Sequence, residues 1–100
     1  MAHINFHYPI DVYDTLRELG ERIAIARKAH EWRQTDLADH SGISRSTIVE
    51  IEKGSPYVAM GNYVTVIWAL NLLGDLDKVA ILESDSHRLM ASKLPQRVRL

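Results

Sequence analysis

The chain has 100 residues, enough for one ordinary domain with a single apolar core. Its residues are 46% hydrophobic and 25% charged, a balance that excludes a disordered polypeptide. No apolar run reaches the roughly 20 residues of a membrane span, the N-terminus lacks the features of a secretory signal, and there is no cysteine for a disulfide or a thiolate zinc site. We therefore expect a cytoplasmic protein with no membrane partner.

The net charge is −1, which does not by itself favour binding to a polyanion. Charge is nevertheless segregated, because acidic side chains cluster over residues 75–85, whereas residues 86–100 contain basic side chains and no acidic one. Any nucleic-acid contact must therefore depend on where individual Lys and Arg side chains lie.

The first ten residues alternate apolar side chains (Ile4, Phe6, Tyr8 and Ile10) with polar ones, which is strand periodicity. A lone strand has no partner inside a helical domain, so we expect this arm to pair across a dimer or to pack over the helices. A disordered arm is the alternative.

Apolar residues then recur at spacings of three and four from Asp11 to Ala29, which predicts a first helix with one buried face. Asp11 is its expected N-cap, and Gly20 is expected to weaken its middle. A second helix is predicted over residues 34–41 and a third over residues 45–53, with Ser44 as the N-cap of the third and Gly54 as its stop.

The apolar segment 60–72 predicts a fourth helix that Gly74 ends. A shorter fifth helix is expected around residues 76–82, and a sixth over residues 86–93. The expected organisation is an arm (1–10), a helical domain (11–83) and a C-terminal helix or tail (84–100).

Residues 34–54, QTDLADHSGISRSTIVEIEKG, place small and apolar side chains where two short helices must cross. Ala38 is small at the expected meeting point, and Gly42 supplies a left-handed turn between the helices. The outer face of the third helix is polar and short-chained at its N-terminal end, which is the end that a recognition helix presents to base edges. The internal face is formed by Leu37, Ile43, Ile48 and Ile51.

This segment resembles the phage repressor and Cro group of helix-turn-helix regulators, the Xre family. The resemblance covers about residues 16–74, and it implies an all-α, compact five-helix, lambda-repressor-like DNA-binding domain with a short N-terminal strand or arm and a C-terminal extension. The residues in family register are Gln34, Leu37, Ala38, Gly42, Ile43, Ser44, Ile48, Ile51, Glu52 and Gly54.

By this resemblance Gln34 and Lys53 meet phosphates. Bases or backbone are touched from the positions of Ser44, Arg45, Ser46, Thr47 and Glu50. Relatives also hold a largely buried ion pair at the positions of Arg27 and Glu52. With Val49 added from the outer face of the third helix, the expected DNA-binding set is Gln34, Ser44, Arg45, Ser46, Thr47, Val49, Glu50 and Lys53. Two positions depart from the family pattern: Arg33 stands where a Ser or Thr cap is usual, and Ser41 where a small apolar residue is usual.

Arg45 is the expected base reader, because its planar fork can donate two hydrogen bonds to guanine. Glu50 has two interpretations, acceptance from cytosine N4 or a surface pair with Lys53. Val49 fits contact with a thymine methyl, or it is simply a tolerated surface valine.

The histidines share no metal-ligand spacing, and there is no phosphate-binding glycine loop, nucleophile elbow or cysteine nucleophile. We therefore expect no enzyme activity, metal or cofactor.

Relatives bind palindromic double-stranded operators as homodimers, and we expect the fourth and fifth helices, with Trp68, to supply the dimer contacts. Residues 68–86 and the tail LPQRVRL resemble the C-terminal extension of HipB-like antitoxins, which implies a HipA-type kinase toxin as a possible partner. A different class remains open: a protein-interaction adaptor or antirepressor without its own operator. The balance of seven basic and seven acidic side chains over residues 17–53 favours that alternative.

Overall fold

The computed structural model describes residues 7–81 and 90–93. In this part of the chain all regular structure is helical, and the expected all-α fold class is confirmed. Residues 90–92 are also helical, whereas most of the expected sixth helix lies outside the described residues. The elements are α1 (Ile10–Ala29), α2 (Gln34–Ser41), α3 (Arg45–Glu52), α4 (Met60–Ala69) and a 3₁₀ helix (Leu73–Lys78).

The start of α1 differs from the expectation. Its N-cap is Pro9 rather than Asp11, and the Val12 amide donates to the Pro9 carbonyl over 2.9 Å. Tyr8 packs its ring edge-on against Tyr13, with the ring centroids 5.9 Å apart. The expected strand is therefore wrong for residues 7–10, because the proline fixes a φ of −56° at the entry to the helix. Residues 1–6 of the expected arm lie outside the described residues.

All four α-helices end in a left-handed residue: α1 at Glu31, α2 at Gly42, α3 at Gly54 and α4 at Asn71, with φ of 60°, 75°, 79° and 63°. At the end of α4 the Asn71 amide donates to the Trp68 carbonyl (2.9 Å) and the next amide donates to the Ile67 carbonyl (3.0 Å), which is the Schellman arrangement. Asparagine tolerates this conformation, so α4 ends at Ala69 and the expected end near Gly74 is wrong. The expected fifth α-helix is replaced by the 3₁₀ helix, which ends at Lys78.

The core lies between α1, α2, α3 and α4, with α1 packed on α3 and α2 packed on α3 and α4. Leu37, Ile48 and Ile51 are fully buried, which confirms the internal face expected for the α2–α3 pair, and Ile43 packs against them partly buried. The other buried apolar residues of the described chain are Ile23, Tyr63, Val66, Ile67 and Leu70.

The approach of α1 to α3 is set by two glycines. A Cβ on Gly20 would lie 2.6 Å from the Glu52 carbonyl oxygen and 2.7 Å from that of Ile51. Gly54 has a φ of +79°. It also lies so close to the backbone of α1 that an added Cβ would be 2.6 Å from Arg17 Cα. The expectation that Gly20 merely weakens α1 is therefore corrected, since this residue lets the two helices touch through their backbones.

Candidate nucleic-acid interface

The turn between α2 and α3 fixes the angle of the helix that would enter a groove. Gly42 has a φ of 75°, and its amide donates to the Ala38 carbonyl over 2.9 Å. A Cβ on Gly42 would meet nothing within 4 Å, so glycine is needed there for its backbone conformation and not for space. The unusual Ser41 is buried but satisfied, because its hydroxyl accepts from the Ile43 amide at 3.1 Å.

Ser44 is the N-cap of α3, as expected. Its hydroxyl accepts from the Thr47 amide at 3.3 Å and donates to the Thr47 hydroxyl at 2.9 Å. The Ser46 hydroxyl lies 3.2 Å from that of Ser44. The three hydroxyls thus form one small cluster at the end of α3 that carries the free backbone amides.

A buried ion pair joins the three helices around this turn. Glu52 of α3 accepts from Arg27 of α1 through Nε (2.7 Å) and Nη2 (3.1 Å), in the two-bond geometry of a guanidinium and a carboxylate. The Nε2 of Gln34, at the start of α2, donates to the same carboxylate at 3.1 Å. Arg27 also donates to the Trp32 carbonyl at 2.8 Å. The side chains of the pair are 10% and 8% exposed, so the ion pair that the resemblance implied is present and largely removed from solvent.

The outer face of α3 is not covered by any other described part of the chain. Ser44, Arg45 and Ser46 are exposed, as are Glu50 and Lys53 further along. Thr47, Val49 and Gln34 are half-buried at its edges. The structure thus brings the eight residues expected to touch DNA to one side of the α2–α3 pair.

The charged side chains of this face differ in whether they form an ion pair. Lys53 Nζ lies 3.8 Å from Glu50 Oε2, so the surface pair is one of the two interpretations of Glu50 that the geometry accommodates. Glu52 is held by Arg27. Within residues 7–81 and 90–93, Arg45 is the one charged residue of α3 and its caps that makes no ion pair. Its fork is therefore available to an external acceptor.

Comparison with known proteins matches residues 23–59 to a family model described as helix-turn-helix. The segment is similar to this family, and its α2, turn and α3 have the form of a helix-turn-helix. It contains all of α2 and α3, and the match supports sequence-specific DNA binding by a transcription regulator. The matched family consists of DNA-binding regulatory domains and is not a family of enzymes. No curated protein and no solved structure matches the chain.

Residues 7–81 and 90–93 contain neither a membrane-spanning helix nor a metal cluster. None of the helices in this part of the chain combines the length and the apolar character that crossing a membrane requires. In the same residues no three His, Asp or Glu side chains come together as a metal site would need.

The start of α2 in the helix-turn-helix is capped by a side chain from within the helix and not by the side chain of its N-cap residue. Arg33 offers no side-chain acceptor, but its backbone amide donates to the Asp36 carboxylate at 2.7 Å, which is the second half of a capping box. The Arg33 guanidinium also donates to Asp36, and this hydrogen bond is the main cause that lowers the pKa of Asp36 and raises the pKa of Arg33. Because the pKa of Asp36 is depressed, the cap is complete at neutral pH and is lost as acidification protonates the carboxylate.

The DNA-binding residues expected from the sequence did not include Arg33, which the structure places beside them. With its side chain 83% exposed, Arg33 shares with Arg45 an open notch of about 450 Å³. Gln34 and Thr35, at the amide end of α2, line the same notch. An arginine directly before a helix that opens with free amides was the available signal.

Proposed function

We propose that the chain is a dimeric, sequence-specific regulator of transcription that inserts α3 into the major groove of a palindromic operator. The observation that carries the proposal is the solvent-facing side of α3, where Arg45 has no internal ion-pair partner among the described residues. An unpaired arginine at the start of such a helix suits bidentate donation to guanine O6 and N7.

The remaining residues of the face have roles that follow from their surroundings. Gln34 is oriented by Glu52, and with Arg33 and the amides of α2 it suits a phosphate. Ser46 and Thr47 suit backbone or base-edge contacts beside the capping Ser44. Val49 suits a thymine methyl, and Lys53 a phosphate once it leaves Glu50.

A helix-turn-helix of this size reads few base pairs, so two copies related by a twofold axis would read half-sites about 34 Å apart. Repression follows if the operator overlaps a promoter.

Arg45→Ala tests base reading. Selection from a random duplex pool should give a palindromic consensus for the parent protein. In the variant, one guanine position per half-site should relax, with a loss of about 1 to 3 kcal/mol of discrimination there. Arg22→Ala, an exposed arginine of α1, is the control and should leave the consensus unchanged. A consensus that survives Arg45→Ala would contradict the assignment.

Arg33→Ala tests phosphate binding separately. The affinity should fall by a similar factor for all sequences, and the slope of log K against log salt should become shallower by about 0.9 for each phosphate that a protomer no longer neutralises. The measurement is fluorescence anisotropy of labelled operator between about 50 and 200 mM salt. A change in base preference with an unchanged slope would place Arg33 at a base instead.

The resemblance of the residues after α4 to HipB-like antitoxins extends the proposal to a kinase partner. Its test is co-purification with a HipA-type kinase, in which the absence of a stable complex would remove the antitoxin role and leave operator binding intact. The adaptor alternative draws on the balanced charge of residues 17–53. It requires that the same random-pool selection returns no consensus at all.

A further inference from the structure

The outward face of α4 is apolar and uncharged. Residues 54–74 contain no Asp, Glu, Lys, Arg or His, although a quarter of the whole chain is charged. Met60 is 75% exposed and Trp68 55% exposed on this helix, and Leu72 just beyond it is 38% exposed. A helix turns by 100° per residue, so Gly61, Thr65 and Trp68 share one side of α4, opposite the buried Val66 and Leu70.

Gly61, in the first turn of α4, has no structural role that residues 7–81 and 90–93 reveal. It has no left-handed conformation, and a Cβ added there would meet nothing within 4 Å. Gly20, by contrast, is required by the backbone of α3. A glycine in a helix destabilises it relative to alanine, and it leaves a shallow depression that a large side chain from another molecule can enter.

The polar group between the depression and the tryptophan is already satisfied. Thr65 Oγ1 donates to the Gly61 carbonyl at 2.7 Å, so the hydroxyl has a partner within the helix. Covering this face would therefore leave the threonine hydroxyl with its hydrogen bond, and its burial would not carry the cost of an unsatisfied polar group.

From these features we infer that α4 packs antiparallel against α4 of a second copy, with Trp68 seated over Gly61 of the partner subunit. A twofold axis through the midpoint between residues 61 and 68 places the protruding and the recessed residue of each copy opposite each other, and Val64 opposite Thr65. An isologous contact requires this self-complementarity. The same patch supplies both sides of the contact, so a face without charge pairs with itself without repulsion.

The exposed apolar area is of the size that such a contact needs. The exposed fractions of Tyr57, Met60 and Trp68 are 67%, 75% and 55%. Large side chains present about 200 Å² each, so these three and the two exposed leucines after α4 leave roughly 550 Å² per copy. Adding the intervening helix surface approaches the roughly 800 Å² per partner of a standard interface. The inference rests on the proposed dimer and specifies its surface.

Gly61→Glu separates association from folding. The new side chain meets none of the described residues of its own chain, and a carboxylate in the first turn favours the helix, so the thermal midpoint of the monomer should be unchanged or higher. The dimer should weaken by at least about tenfold in Kd, measured by sedimentation equilibrium of the full chain without DNA. Trp68→Ala should weaken it similarly. The matched control is Ile25→Glu, which places the same charge on an exposed apolar residue of α1 and should leave Kd unchanged.

The register has its own test, because the chain contains no cysteine. Thr65→Cys lies next to the proposed axis and should form an intermolecular disulfide under mild oxidation, whereas Glu21→Cys on α1 should not. A parent chain that stays monomeric at hundreds of micromolar, a dimer that resists Gly61→Glu, or a dimer lost in Ile25→Glu would each overturn the inference. Operator selection that still depends on Arg45 in those cases would show that the proposed DNA binding stands without this surface.

Discussion

Glu52→Ala should remove about 3 to 5 kcal/mol from the free energy of unfolding, because it leaves Arg27 charged and nearly buried without its carboxylate. Two hydrogen bonds from Arg27 and one from Gln34 disappear together. Domains of this size are stable by about 5 to 15 kcal/mol, so the loss takes a large share of the total. Urea denaturation followed by circular dichroism measures it.

The matched control is Glu50→Ala. Glu50 is on the same helix, but its 3.8 Å pair with Lys53 is exposed, and its removal should change the stability by less than about 1 kcal/mol. The double variant Arg27→Met, Glu52→Leu should recover most of the lost stability, because no buried charge is left unpaired. If Glu52→Ala and Glu50→Ala cost the same, the pair between α1 and α3 is not the stabilising contact described above.

Gly20→Ala should destabilise the fold by about 3 kcal/mol, the upper end of the usual cost of overpacking, because the atoms in its way are backbone and cannot rotate aside. Helix propensity alone predicts the opposite sign, since alanine is better than glycine in a helix by up to about 1 kcal/mol. The sign of the change in thermal midpoint therefore separates the two explanations.

Gly74→Ala is the control for the glycine variants. Gly74 has no left-handed conformation, and an added Cβ would meet nothing within 4 Å, so the stability should change by less than about 0.5 kcal/mol. A stabilised Gly20→Ala protein would mean that α1 and α3 are further apart than the distances from Gly20 to Glu52 indicate.

The α2–α3 unit could be predicted from the sequence because its signals are local. The bounds of α2, the Ser44 cap and the left-handed Gly42 each depend on a few neighbouring residues, and the buried Leu37, Ile48 and Ile51 follow from helical periodicity. The structure beyond residue 70 was less predictable, because the left-handed residue that follows α4 is Asn71. Asparagine is a weaker stop signal for a helix than glycine.

The parts that could not be predicted depend on contacts between distant segments. In the sequence of a single helix Gly20 indicates a weak point. Its role, which is to let α3 approach the backbone of α1, follows only from the packing of the two helices. Arg33 suggests that α2 lacks a cap, because its side chain offers no acceptor. The carboxylate that accepts from the Arg33 amide belongs to Asp36, three residues further on. The partner of Arg45 is an external one, so neither the periodicity nor the fold identifies the base that it reads.

The Glu52 carboxylate belongs to α3 and accepts hydrogen bonds from both α1 and α2. This arrangement affects the rate and the heat of complex formation. The relative orientation of the three helices is established when the chain folds, so little conformational entropy remains to be lost when a duplex arrives. Encounter with DNA is then limited by diffusion and alignment of two preformed surfaces, with no slow rearrangement of the recognition helix.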